Sequence, residues 1–426
     1  MTILTLTVCL LASLARDDSC ATLTEIHHPS AEPPKGASFG FATAILDYDG
    51  DGKADIAVGA PGEEKVYVFF GDGFERHITL EPKEAKENGG FGCALAAGAI
   101  DEVPGDELAV GANKRRVGEK ERAGMVFVFG RGLVEPIVMH GKRPAPNERL
   151  GEALAVGDYD DDGLLEVAAG APGYPGEGAP GGKVYVFQID GEGAVEQGVF
   201  ENHQRVPNAH YGHDLGRGDW NGDGVDDLFV SAPGNDNRAG RSLQGQMVIH
   251  LGPFREDGCA RETVIVEDNV PNANEPGGRF GMSIAARGRV FAVGAPRKDV
   301  GETVDGGMGF VFRDDEEPLN LWAPEPIENG ILGYRARIGD FVGDEALDVA
   351  FVSLPQGMYI WEMGRLAEPI FVSRPRGGCP HWASGIAVGQ VFPGGKEEIV
   401  LGGFDWEPEG FPSDYNSGRA HIVRFR

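Results

Sequence analysis

Residues 39–71 read FGFATAILDYDGDGKADIAVGAPGEEKVYVFFG. An aromatic–glycine pair opens this stretch, and a short apolar strand leads into the turn Asp47–Asp55. A second strand climbs to Gly59-Ala60-Pro61, and Val66–Phe70 closes the unit. Asp47, Asp49, Asp51 and Asp55 occupy positions 1, 3, 5 and 9 of a nine-residue loop, with the Lys53 carbonyl expected to serve at position 7. That spacing lets one hard cation collect oxygens from alternate residues, and calcium takes about six to eight of them in a forgiving geometry. Gly52 at position 6 permits the turn that wraps the ion. Without a cation, crowded carboxylates repel and raise one another's pKa. Asp and Gly also make ordinary solvated turns, so one copy decides nothing. Recurrence decides it.

The aromatic–glycine opening returns at Phe91, Leu150, Tyr211, Phe280, Leu332 and, as Trp382-Ala383, a seventh time. Successive units start 50 to 69 residues apart, each with about four short strands and no helical period between them. Runs such as VYVFF (66–70) and VFVF (126–129) are apolar at successive positions, so both faces of each sheet are buried. An open array of sandwiches would leave one polar face per strand. Small sheets packed face to face in a ring fit instead, which predicts an all-β, seven-bladed β-propeller over residues 16–426. The seventh unit ends at its third strand, HIVRFR (421–426). Thr22–His28 precedes the first unit and has the character of a fourth strand, so it is expected to pair with Ile422–Phe425 and close the ring.

Composition narrows the function. The 426 residues carry a formal net charge of −29, which argues against a phosphate-backbone partner and fits cation capture. The 66 glycines recur at fixed places in the repeats, so they mark neither collagen nor a flexible linker. Residues 1–15, MTILTLTVCLLASLA, read as a secretory signal peptide, although they lack Lys and Arg. No later stretch approaches the length of a membrane-spanning helix. Loss of the leader leaves Cys20, Cys93, Cys259 and Cys379, either as two disulfides in one of three pairings or as scattered thiols. Lipidation of Cys20 is a further option that Asp17-Asp18-Ser19 does not favour.

The frame of Phe-Gly, DxDGDGxxD, Gly-Ala-Pro and VYVF resembles the FG-GAP repeat of integrin α-subunit propellers, found also in phosphatidylinositol-glycan-specific phospholipase D. The resemblance covers nearly all of residues 16–426 and implies calcium loops joining strands 1 and 2 on the lower face. Carried over residue by residue, it gives about three calcium sites. The first is Asp47, Asp49, Asp51, Lys53 and Asp55, a full match. The second is Asp158, Asp160, Asp162, Leu164 and Glu166, with the longer carboxylate at position 9. The third is Asp219, Asn221, Asp223, Val225 and Asp227, with a neutral ligand at position 3. Lys53, Leu164 and Val225 contribute as backbone carbonyls. The loop Asp340–Asp348 is degraded, with Val342 at position 3 and Glu345 at position 6. Units two, five and seven are expected to hold no ion.

No catalytic residues are assigned: there is no HExxH, GxSxG or Walker loop. Arg217-Gly218-Asp219 spells an integrin-recognition tripeptide, but its Asp opens a calcium loop and is expected to turn inward. Gly176-x-Gly178-x-x-Gly181 precedes a strand rather than a helix, so it cannot hold a pyrophosphate. His27-His28 and His210-x-x-His213 lack a third metal-spaced ligand and read as exposed loop residues. The expectation is a secreted or surface-attached calcium-binding propeller that binds a protein or matrix ligand. A lectin-like propeller using Trp220, Trp322, Trp361, Trp382 or Trp406 is the alternative, and a polysaccharide-cleaving enzyme the third reading. The integrin legs and the phospholipase's catalytic domain have no counterpart in this sequence. The long 2–3 connections of units two to five, with Arg115, Arg116, Tyr174, Arg238, Arg241 and Arg297, are the expected binding surface.

Overall fold

The computed structural model describes residues 21–30, 32–83, 88–101, 103–175, 181–190, 193–202, 208–234, 245–254, 260, 262–267, 277–313, 316–364, 368–374, 382–403 and 417–425. The leader, Cys20, Cys259, Cys379, Arg238, Arg241, Trp406 and most of the 176–181 glycine string lie outside them. The described residues form 28 strands in seven four-stranded antiparallel sheets, and no helix. This is the expected seven-bladed propeller.

The first strand, β1 (Ala21–Ile26), joins the last blade. Blade one is β2 (Thr43–Leu46), β3 (Asp55–Ala60), β4 (Lys65–Phe69) and β5 (His77–Leu80), hydrogen-bonded in chain order. Blades two to six repeat that order, beginning with β6 (Phe91–Gly98), β10 (Leu154–Gly157), β14 (Leu215–Gly218), β18 (Ser283–Arg287) and β22 (Arg335–Gly339). Blade seven takes three strands from the C-terminal end, β26 (Gly385–Gly389), β27 (Glu398–Gly403) and β28 (Arg419–Phe425), and its fourth from β1. The register runs from Ala21 opposite Phe425 to Ile26 opposite Ala420, with an Arg419–Glu25 ion pair at 2.6 Å. The expected closure is present, displaced slightly toward the N-terminus because the chain leaves the sheet at His27.

Burial explains why these segments stack. All six residues of β3 are buried, and so are all six of β27. Outer strands alternate instead: in β5 His77 and Thr79 are exposed and Leu80 is buried. The apolar core is divided among the seven junctions between blades. At one junction Phe91, Phe127 and Leu108 pack on Val66 and Val68, with the Phe91 and Phe127 rings edge-to-face at 5.4 Å. At the closing junction Val400 and Ile422 pack on Phe39 and Ile56. Stacked faces of this kind bury apolar area at about 25 cal/mol per Å2, so each blade is held by its two neighbours.

The repeat's small residues make that contact possible. A Cβ on Gly59 would lie 2.1 Å from the carbonyl oxygen of Gly92, so the Gly-Ala-Pro glycine of one blade packs directly on the aromatic-pair glycine of the next. The residues that open the repeats are core: Phe39, Phe91, Leu150, Tyr211, Phe280, Leu332 and Trp382 are all buried. Phe39 also forms a parallel bridge with Gly418, tying blade one to blade seven.

Three expectations need correction. Arg115 is not a surface residue: it is buried beside Glu64 of blade one, Nη1 to Oε2 at 3.5 Å. His28 is not exposed either, because its Nε2 meets Glu63 Oε1 at 2.7 Å between the Phe39 and Tyr67 rings. His213 lines the axial channel, where burial pushes its pKa down to about 4. Cys93 is a free thiol on β6, its Sγ donating to the Gly151 carbonyl at 3.4 Å.

Candidate metal centres

In each antiparallel blade the 1–2 and 3–4 connections leave from one end of the sheet and the 2–3 connection from the other. The acidic loops are 1–2 connections, so they share one face. In blade one the Asp47 carboxylate accepts the Asp51 amide at 3.0 Å and the Gly52 amide at 2.9 Å. Gly52, Gly163 and Gly224, each at position 6, have φ of 82°, 88° and 92°, the left-handed conformation that glycine adopts without strain. Asp55, at position 9, is buried at the start of β3 and accepts the Tyr48 and Gly71 amides at 2.9 and 2.8 Å.

This folding brings one oxygen each of Asp47, Asp49 and Asp55 within 4.8 Å of one another. Blade three does the same with Asp158, Asp160 and Glu166. Asp49 Oδ1 and Glu166 Oε1 are buried without a hydrogen-bond partner, each inside one of these clusters. An orphaned carboxylate oxygen facing two other carboxylates is a donor set that a hard cation satisfies. The residues present therefore fit calcium.

Electrostatics agree. Burial pushes Glu166 up to about 8, with Asp160, Asp162 and Asp158 adding to the rise. Burial likewise raises Asp227 to about 6, and raises Asp55 and Asp160. A divalent ion reverses this by stabilising the charged form.

At position 5 the side chains have protein partners. Asp51 accepts Lys53 Nζ at 2.8 Å and Asp162 accepts Gln188 Nε2 at 2.6 Å, while the three-carboxylate groups take positions 1, 3 and 9. In blade four Asp219 accepts the Gly222, Asp223 and Gly224 amides, while Asn221 and Asp223 bond each other. Arg217 pairs with Asp226 at 3.1 Å, so the tripeptide's Arg and Asp are both engaged within the propeller. In the degraded loop Asp340 and Asp348 keep the same backbone bonds, and Asp348 Oδ1 is a buried orphan. Blade five makes a tight turn, with Arg287 opposite Val290.

Two structural roles were missed. Glu107 and Glu398 stand at position 9 in blades two and seven, where the other ligands are gone. Each is buried and accepts the amide seven residues upstream, Ile100 and Val391, both at 2.8 Å. The position-9 acid therefore closes the loop whether or not a cation is held there. Its signal was legible as an acid starting the second strand in six of seven units. The second role belongs to the residue before it: Asp106, Asp226 and Glu397 each accept an amide from the preceding blade's loop, Asp47, Asp158 and Asp340.

Fold and loops together define a repeat propeller with carboxylate loops on one face. The FG-GAP repeat profile matches residues 39–69 and 150–187, the blade-one and blade-three units that hold the carboxylate clusters. The chain is 35% identical over 214 residues to human integrin alpha-D, covering 46% of this chain and 18% of that protein. It is 30% identical over 198 residues to rat phosphatidylinositol-glycan-specific phospholipase D, covering 40% and 23%. Integrin alpha-5 of Xenopus laevis is 27% identical over 231 residues, covering 50% and 21%. The chain thus spans under a quarter of these relatives' length. Among solved structures, BBS1N in complex with ARL6DN superposes with a TM-score of 0.57 at 8% identity, covering 95% of this chain and 97% of that one, which shows the fold alone. The chain carries FG-GAP repeats in a seven-bladed propeller similar to integrin α heads. No helix among the described residues is long and apolar enough to cross a membrane.

Proposed function

We propose that this chain is a secreted or surface-attached propeller, stabilised by calcium on one face and binding a protein or matrix partner on the other, without catalysis. The observation that carries the reading is the pair of three-carboxylate clusters, set in the repeat units whose frame the integrin α relatives share. The residue 1–15 leader, read as a signal peptide, supports export.

The partner surface is the opposite face, built from the 2–3 connections. With Arg115 buried, Arg116 and Arg297 are the described arginines of the expected set that stay exposed, paired with Glu121 and Asp305 respectively. Tyr174 sits under Lys183, Nζ at 3.7 Å from the ring centroid. Charged groups on a binding face give specificity and association rate more than raw affinity. Affinity capture from extracellular fluid in calcium, with wild type beside an Arg116→Ala/Arg297→Ala variant, tests this. Capture lost in the variant, with calcium content unchanged, supports the surface; capture lost only when blades six and seven are altered moves it.

One observation favours the glycan alternative: Trp322 is 47% exposed, whereas Trp361 and Trp382 are core. A glycan array that lights up with wild type and goes dark with Trp322→Ala would replace the protein-partner reading.

A further inference from the structure

All seven inner strands border one axial cavity of about 390 Å3. Four residues past the opening glycine the chain places Ala44, Ala96, Ala155, Gly216, Ala285 and Ala387 in six blades. In blade six that position is Arg337, opposite Ala350 just as Ala44 stands opposite Ala57. Two residues earlier on β22 stands Arg335, and both arginines line the cavity.

Neither guanidinium makes a salt bridge, although the buried Asp214 carboxylate on the same cavity wall acts on both. Arg335 gives Nε to the Ser384 carbonyl at 3.2 Å and Nη1 to the Tyr334 carbonyl at 3.1 Å. Arg337 gives Nε to the Ile386 carbonyl at 2.9 Å and Nη1 to the Ala336 carbonyl at 2.7 Å. Nη2 of each has no protein acceptor among the described residues. The two carboxylates on the cavity wall direct their hydrogen bonds to other donors. Asp214 accepts the Ile284 and Leu215 amides at 2.9 and 3.1 Å. Glu152 accepts Asn113 Nδ2 at 2.9 Å and pairs with Arg149 at 3.5 Å. Burial holds Arg337 down to about 10, which still leaves it charged at neutral pH.

Two like charges on one strand, turned into the axial cavity against the single carboxylate of Asp214, leave a net positive charge that a counter-ion would offset. Guanidinium forks favour oxygens of a carboxylate or a tetrahedral anion. We propose that the axial channel holds one small oxyanion between Arg335 and Arg337 of blade six. Both arginines belong to β22, outside the acidic loops and outside the 2–3 connections, so the inference does not rest on the function proposed above.

The test is calorimetric titration of the full calcium-loaded chain with sodium sulfate and, separately, sodium acetate, at constant ionic strength set with chloride. The expected result is saturable binding at one site, weakened at least about tenfold by Arg337→Gln. Tighter sulfate assigns a tetrahedral anion and tighter acetate a carboxylate. Melting curves separate this from simple plugging of the channel. The oxyanion should raise the wild-type Tm and leave Arg337→Gln unmoved, while in chloride alone the variant is no less stable than wild type. If Arg337→Gln does not fold, Arg335→Gln serves in its place. Absence of saturable binding, or binding unchanged in a folded variant, overturns the proposal.

Discussion

Asp106 and Asp47 exchange two hydrogen bonds across the junction of blades one and two. The Asp106 amide donates to the Asp47 carbonyl, and the Asp47 amide donates to Asp106 Oδ2, both at 2.8 Å. Asp226 with Asp158 and Glu397 with Asp340 repeat the exchange. In each case the first residue of one acidic loop is fixed by the loop of the following blade. Loop geometry is therefore a property of blade pairs. Asp106→Ala leaves the Asp47 amide without its acceptor and should cost about 1–2 kcal/mol in urea unfolding. Asp106→Asn keeps an acceptor oxygen and should recover most of it. Equal losses in both variants would assign the effect to charge instead.

The seventh opening pair carries Ala383 where the other six blades have glycine. Its φ is 76°, against 84–90° for those glycines, and it is fully buried. A Cβ in the left-handed region costs about 1–2 kcal/mol, part of which the methyl's packing offsets. Ala383→Gly should raise stability by up to about 1 kcal/mol, read as a higher urea midpoint with an unchanged slope. A fall in the midpoint would mean that the methyl's packing dominates.

Glu107 supplies a pH test free of any metal set. Burial raises its carboxyl above the usual range, against two backbone amides that lower it. The folded state thus holds the proton more tightly than the unfolded chain. The contribution is full below the unfolded pKa of about 4.3 and is lost as pH rises through the folded value. Glu107→Gln does not titrate, so its stability relative to wild type should climb over that window. Parallel pH profiles for the two proteins would contradict the assignment.

The architecture was legible because the repeat announced itself twice: in the aromatic–glycine spacing and in strands apolar on both faces. Closure by β1 was legible because the seventh unit lacked a fourth strand. The loops were legible at positions 1, 3 and 9, whose side chains fold inward in blades one and three. Spacing cannot show that Asp51 bonds Lys53 or that Asp162 bonds Gln188. Nor could it show Arg115 buried against Glu64, because that contact joins two blades. Long-range partners of this kind are what a linear pattern omits.

The degraded loop of blade six keeps Asp340, Asp344 and Asp348 but places Glu345 at position 6 with φ of 68°. The double change Val342→Asp/Glu345→Gly restores the missing ligand and relieves the turn. It should install an additional calcium site, seen as one more equivalent in equilibrium dialysis. An unchanged equivalence would show that ligand positions alone do not make the loop competent.

The native loops are proposed to bind calcium. Extracellular modules bind in the range of about 10⁻⁴–10⁻³ M, and a saturating ion at 100 times Kd would add about 2.7 kcal/mol per site. The direct measurement is calorimetric titration of chelator-stripped protein with calcium. About three sites are expected, falling by one each in Asp49→Ala and Asp160→Ala. A titration showing no calcium binding, or seven equivalent sites, would contradict that expectation.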